Sequence, residues 1–195
     1  MTESIAVTFG LISLAYLWGS IPTAVIVCRV LGLPDPRQRG SGNPGTTNVL
    51  RIGTRQAAFL TLLGDTSKGF IAVLPCMIFE LPAQTHSFCA IAAILGHLFS
   101  IFTSFRGGKG VATTLGVCLA LYWPLVLFQL CCWGLIAATS RISSLASIST
   151  ALLSPIFIWH TAPEYLITLW ILAAILVFSH RSNIKNLLDG KEPRL

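Results

Sequence analysis

Apolar runs separated by short polar segments constrain this chain more than any other feature. They lie at Ile5–Leu33, Ala57–Phe79, Ser87–Phe105, Val111–Tyr122, Pro124–Thr139, Leu145–His160 and Tyr165–Ser179. With 10% of residues charged and 54% hydrophobic, there is too little charge to coat a soluble domain of this length. The chain is therefore expected to be an all-α, polytopic membrane protein. Its first apolar run follows Glu3 without a preceding basic residue and continues for more than 20 residues, which fits a first span and not a cleaved signal peptide.

Several runs are shorter than the roughly 20 residues of a perpendicular span, so the count needs a second criterion. All 13 Lys and Arg fall in four places: Arg29 to Lys68, Arg106 with Lys109, Arg141, and Arg181 to Arg194. Cationic flanks gather on the cytoplasmic side, so an even number of spans separates each group from the next. Val111 to Thr139 must then cross twice, with a turn at Tyr122-Trp123-Pro124 where proline cannot continue a helical ladder. One kinked span would put Arg181 and Lys185 outside. Seven transmembrane helices follow, N-terminus outside and C-terminus cytoplasmic, in one membrane-embedded domain over residues 1–195 with no visible repeat or linker. The net charge of +6 is read as attraction to anionic membrane lipid, and nucleic acid is not an expected partner.

Six cysteines (Cys28, Cys76, Cys89, Cys118, Cys131, Cys132) sit in apolar segments without a C-x-x-C pair or metal-ligand spacing. They read as small core residues, and neither a metal nor a cofactor is expected.

Three polar segments collect on the cytoplasmic face of this topology. The stretch "FTSFRGGKGVATTLG" from Phe102 holds Arg106, Gly107, Gly108, Lys109 and Gly110 between apolar runs. It is not a nucleotide P-loop, in which Lys is followed by Ser or Thr. The first loop reads "RQRGSGNPGTTNVLR" from Arg37 to Arg51, with "GDTSKG" at the entrance of the next span; the tail reads "SHRSNIKNLLDGKEPRL". Glycines permit close backbone approach, Ser, Thr and Asn supply hydrogen bonds, and arginine supplies forked donors for phosphate oxygens. Taken singly, the first loop also reads as a tight turn with anchors, His180 as a cap, and Lys185 as an anchor. Together, cations at a membrane boundary point to a site for one or more phosphates. None of His86, His97, His160 or His180 begins a His-x-x-x-x-Asp pair, and there is no G-x-S-x-G elbow, so a serine acyl-enzyme has no motif behind it.

The segments "GSGNPGTTNVLR", "GHLFSIFTSFRGGKGVATTLG" and "SHRSNIKNLLDGKE" resemble, in order and nearly end to end, the three cytoplasmic motifs of the bacterial acyl-phosphate:glycerol-3-phosphate acyltransferases, the PlsY family. The resemblance implies a seven-helix enzyme of the bacterial inner membrane with its active site on the cytoplasmic face. It would move an acyl group from acyl phosphate to the first hydroxyl of glycerol 3-phosphate, giving lysophosphatidic acid and phosphate, downstream of an enzyme that makes acyl phosphate. Carried over by motif, Ser41, Arg51, Lys109, His180 and Asn183 would act in catalysis. Gly40, Gly42, Asn43, Thr47, Asn48, Arg106, Gly107, Gly108, Gly110, Lys185 and Glu192 would complete the substrate pocket. Thr46 stands where the family usually has alanine, Ser100 where proline often follows "GHxF", and Arg106 where lysine is common. Direct acyl transfer is the expected route, with Ser41 as a covalent nucleophile the alternative. A small-anion transporter or channel is the competing function, but it calls for ionisable groups along a mid-membrane path and often repeated halves.

Overall fold

A computed structural model describes residues 5–195; Glu3 lies outside the described residues. Among those described, regular structure is helical: α1 (Ile5–Gly19), α2 (Thr23–Val30), α3 (Thr46–Ile52), α4 (Arg55–Ile78), α5 (Ala83–Leu98), α6 (Val111–Leu121), α7 (Trp123–Ser140), α8 (Ser143–Ile158), α9 (Leu166–Ser179) and α10 (Arg181–Leu188), with short 3₁₀ turns at Ile101–Thr103 and Pro163–Tyr165. Helices satisfy their own backbone polar groups, the requirement for crossing hydrocarbon. Two compact units divide the chain, Met1–Ala120 and Leu121–Leu195.

In the first unit the initial apolar run is broken at Ser20–Pro22, between α1 and α2. Pro22 has no N–H and interrupts the ladder, and the carbonyls exposed there find side-chain donors. The Ser100 hydroxyl donates to Ser20 O at 2.5 Å, and Lys68 Nζ donates to Ile21 O at 2.9 Å. Ser100 and Lys68 thus cap the carbonyls of the broken span. α1 packs along α5, and α4 against both.

The crossings depend on residues without side chains, as close helix packing in lipid favours. A Cβ on Gly69 of α4 would collide with Thr113 O of α6, and one on Gly116 of α6 with Thr66 O of α4. This reciprocal contact fixes where α6 leaves the glycine loop. The first polar loop is also more ordered than its composition suggests, since its second half forms α3. "GDTSKG" lies well inside α4, which begins at Arg55, and not at the span's entrance.

In the second unit α7 and α8 are tied by polar side chains. Gln129 Nε2 donates to Ser154 Oγ at 3.0 Å, Trp133 Nε1 donates to Ser147 Oγ at 3.1 Å, and Phe128 stacks on Phe157 with centroids 4.5 Å apart. Arg141 closes α7 in the left-handed region at φ 59°, and its carbonyl accepts from Leu195 N at 2.7 Å. The C-terminal end is thereby fastened to the α7–α8 turn.

Among the described residues, four helical stretches are long and apolar enough to cross a membrane: Ile5–Val30, Arg55–Ile78, Ala83–Thr103 and Trp123–Ser140. A fifth arises if Pro163–Ser179 and Arg181–Leu188, bent by 61°, form one broken span. α6 and α8 are apolar but shorter, at 11 and 16 residues. The break expected at Tyr122-Trp123-Pro124 is present: Tyr122 is extended, and Pro124 sits in the first turn of α7, where its missing N–H is tolerated. Cys28, Cys76, Cys89 and Cys118 are buried as expected of core residues, whereas Cys131 is exposed and Cys132 intermediate.

Candidate active site

The first polar loop is organised around one buried side chain. Asn48, 2% exposed, donates from Nδ2 to Pro36 O and Arg39 O at 2.8 and 3.0 Å, and its Oδ1 accepts from Ser41 N at 2.9 Å. Asn48, expected in the substrate pocket, has its amide engaged by the loop's own backbone and so shapes the turn that presents Ser41. Gly40, at φ +62°, has room for no Cβ beside Asn48 Oδ1, and Gly42 is also left-handed at φ +71°. Ser41 is exposed, and its Oγ accepts from Asn43 N at 3.4 Å.

Not every cation of this loop is equally available. Arg37 chelates Asp35, Nη2 to Oδ2 at 2.6 Å, and its hydrogen bonds hold the Asp35 carboxyl below the usual carboxylate range. Thr47 is partly buried in α3, and Arg51 is exposed in that helix's last turn.

The glycine loop is folded back onto the end of α5. Gly107 N donates to Leu98 O at 2.9 Å and Gly108 N to His97 O at 3.2 Å, satisfying carbonyls that a helix C-terminus otherwise leaves without partners. These two N–H groups are spent on the protein itself. The glycines are required because the backbone lies flush on α5: a Cβ at Gly107 would collide with His97 O, and one at Gly108 with His97 Nε2 while coming within 3.2 Å of Pro44 O. The glycine loop and the first loop therefore meet at Gly108 and Pro44. Gly110 turns the chain into α6 at φ 87°, a conformation that suits glycine and not the Ser or Thr of a P-loop. Arg106 is exposed and Lys109 partly buried beside this contact.

Beneath the loop lies a group of ionisable residues to which the sequence analysis gave no role. Asp65, Lys68 and His97 are 2%, 4% and 6% exposed. Asp65 Oδ1 lies 2.9 Å from Lys68 Nζ and 3.5 Å from His97 Nδ1, and it accepts the Thr23 hydroxyl. Thr113 Oγ1 stands 3.1 Å from His97 Nδ1. The signal was available: Asp and Lys three residues apart within an apolar run, and a histidine in the last turn before the glycine loop.

The second unit holds the tail residues. His180, 3% exposed, sits between α9 and α10 with Nδ1 2.8 Å from Leu176 O. A carbonyl only accepts, so Nδ1 carries the proton and Nε2 is the basic nitrogen of the neutral ring. Glu192 Oε1 accepts from both Asn183 Nδ2 and Ser144 Oγ, each at 2.6 Å. This carboxylate orients the Asn183 amide and joins the tail to the start of α8. Ser144 carried no motif in the sequence. Lys185 is exposed on α10.

The chain matches the family described as Glycerol-3-phosphate acyltransferase over residues 9–190. A glycerol-3-phosphate acyltransferase of Methylococcus capsulatus is 48% identical over 187 residues, covering 95% of this chain and 94% of the relative. One of Thioalkalivibrio sulfidiphilus is 49% identical over 183 residues, covering 93% and 90%. Among solved structures, PlsY (YgiH), an integral membrane glycerol 3-phosphate acyltransferase, superposes in its glycerol 3-phosphate form with a TM-score of 0.91 at 35% identity, covering 97% of this chain and 96% of that one. Its lysophosphatidic acid form gives a TM-score of 0.90 at 34% identity, covering 97% and 95%. Helices, polar loops and near-complete coverage agree: this chain belongs to the glycerol-3-phosphate acyltransferase family.

Proposed function

We propose that this protein, an acyltransferase that converts glycerol 3-phosphate to lysophosphatidic acid, takes its acyl group from acyl phosphate and places it on the sn-1 hydroxyl. The observation that carries this reading is the packing of the glycine loop against the first loop at Gly108 and Pro44, which sets Lys109 close to the loop bearing Ser41. Both substrates carry phosphate, and one carries an acyl chain suited to a membrane boundary. Phosphate is also the leaving group, so a nearby cation lowers the barrier as charge develops on it.

In this reading the sn-1 oxygen attacks the acyl carbonyl carbon, the carbonyl–phosphate C–O bond breaks, and an ester forms. The hydroxyl proton passes to a substrate phosphate, whose second ionisation near pH ~6 makes it a competent acceptor. Arg51 and Lys109 neutralise phosphate charge, with Arg106 and Lys185 as further cations for substrate. Ser41 and Asn43 orient reactants, Thr47 and the glycines Gly40, Gly42, Gly107, Gly108 and Gly110 shape the loops, and Asn48 holds Ser41 in place. His180 and Asn183 bind substrate, and Glu192 positions Asn183.

Both units serve one acyltransferase domain, a reading supported by the family match across residues 9–190. Counting α6, α8 and the bent pair Pro163–Ser179 with Arg181–Leu188 as spans alongside the four long ones gives seven, with the N-terminus outside and the polar loops on the cytoplasmic face of the bacterial inner membrane. The acyl phosphate is supplied by a separate upstream enzyme.

Direct transfer is tested with labelled acyl phosphate and no acceptor. The expected result is no acylated protein on the timescale of turnover. A kinetically competent acyl-Ser41 species, discharged by glycerol 3-phosphate, would replace direct transfer with a serine intermediate.

A further inference from the structure

Asp65, Lys68 and His97 lie within or at the end of apolar helices, where ionisable groups are expensive and tend to serve function. Apolar residues of similar volume often hold helices together at least as well as a buried ion pair. What they lack is direction, and here every bond of the cluster has one. Lys68 reaches the broken first span at Ile21 O, Thr23 joins Asp65 from α2, and Asp65 and Thr113 flank the same nitrogen of His97 from α4 and α6. The other ring nitrogen, Nε2, occupies the place a side chain on residue 108 would need. The adjoining cavity, lined in part by Thr23, Asp65, Lys68, His97 and Gly108, measures about 10 Å³. It has room for about one water molecule, and the cluster's contact beyond its own helices is with the glycine loop at Gly108.

We propose that His97, oriented by Asp65 and Thr113, is a positioning residue for phosphate binding: its ring is the platform on which Gly108 lies, and it sets where Lys109 stands. The inference rests on the reading of Lys109 as a phosphate ligand. Because the N–H groups of Gly107 and Gly108 are bonded to Leu98 and His97, the loop's service to substrate depends on placement, and the ring edge at Gly108 supplies it.

The test uses purified full-length protein in detergent, with steady-state kinetics in acyl phosphate and inhibition by inorganic phosphate. His97→Ala and Gly108→Ala are each expected to lower kcat/KM for acyl phosphate by about 10- to 100-fold and to weaken phosphate inhibition. Because both disturb one contact, the double variant should be no worse than the weaker single one. A fully multiplicative loss in the double variant overturns the proposal. So does a fall in kcat with unchanged KM and phosphate inhibition, the mark of a smaller folded fraction. If His97→Ala does not yield folded protein, Thr113→Val removes one hydroxyl from the ring's flank at nearly constant shape. It should weaken phosphate inhibition by about 3- to 10-fold; no change contradicts the proposal. Lys109→Ala, run in parallel, separates the two claims: normal phosphate inhibition in that variant rejects the phosphate reading itself, and the inference with it.

Discussion

Arg51 and Lys109 differ from ordinary membrane anchors in what their removal should do. Losing one charge-assisted phosphate contact weakens transition-state stabilisation by about 2–4 kcal/mol, or roughly 30- to 1,000-fold in rate, whereas an exposed anchor loses little. Arg51→Ala and Lys109→Ala proteins that fold, insert and turn over near normally would remove them from the mechanism. The Glu192 carboxylate, which accepts from Asn183 and Ser144 at 2.6 Å each, makes a second prediction. Glu192→Ala and Asn183→Ala should each reduce turnover by about 10- to 100-fold, with no further loss when combined, and rate assays on the three proteins decide it. Ser41, Arg51 and Lys109 drew notice in the sequence because polar and cationic residues stand out beside apolar runs. For Asn48 the residue type suggested a ligand, and only the fold shows its amide bonded to Pro36, Arg39 and Ser41. Asp65, Lys68 and His97 were hidden because residues far apart in sequence had to converge before their partners were visible.

Hydropathy placed α4, α7, α8 and α9 to within a few residues, since a bilayer forces apolar length on whatever crosses it, whereas the run Ser87–Phe105 overshot the end of α5 at Leu98 by seven residues. The breaks were harder. Pro124 was recognised as a turn because charge balance demanded one there, but Pro22 was passed over inside an unbroken apolar run. It splits α1 from α2 and creates the carbonyls that Ser100 and Lys68 cap. α3 was missed because Gly, Asn and Thr mark turns, and only its last residues carry apolar pattern. The seven-span topology predicts Trp123 near the outer face and Arg141 near the inner one; single cysteines at the two positions, in a cysteine-free background, should label from opposite sides, and labelling from one side rejects it. The α4–α6 crossing makes a packing prediction. Gly116→Val pushes a side chain into Thr66 O and should destabilise the protein by about 1–3 kcal/mol, read as a lower Tm in detergent. An unchanged Tm would mean that the two helices are free to part.

At the scale of the whole molecule, cation-bearing polar loops between apolar helices suit a reaction in which a water-soluble phosphate meets an acyl chain in lipid. Transport makes a different demand, a polar path through the bilayer, and the family match over residues 9–190 places the chain among acyltransferases. Membrane class, polar motifs and family were readable from the sequence, while the donor follows from neither charge nor packing, because acyl phosphate and acyl-CoA share the acyl chain and the anionic character. The most direct measurement therefore supplies purified protein with glycerol 3-phosphate and either acyl phosphate or acyl-CoA and follows lysophosphatidic acid. The account predicts product with acyl phosphate, one inorganic phosphate released per molecule formed, and none with acyl-CoA; product from acyl-CoA alone would contradict it.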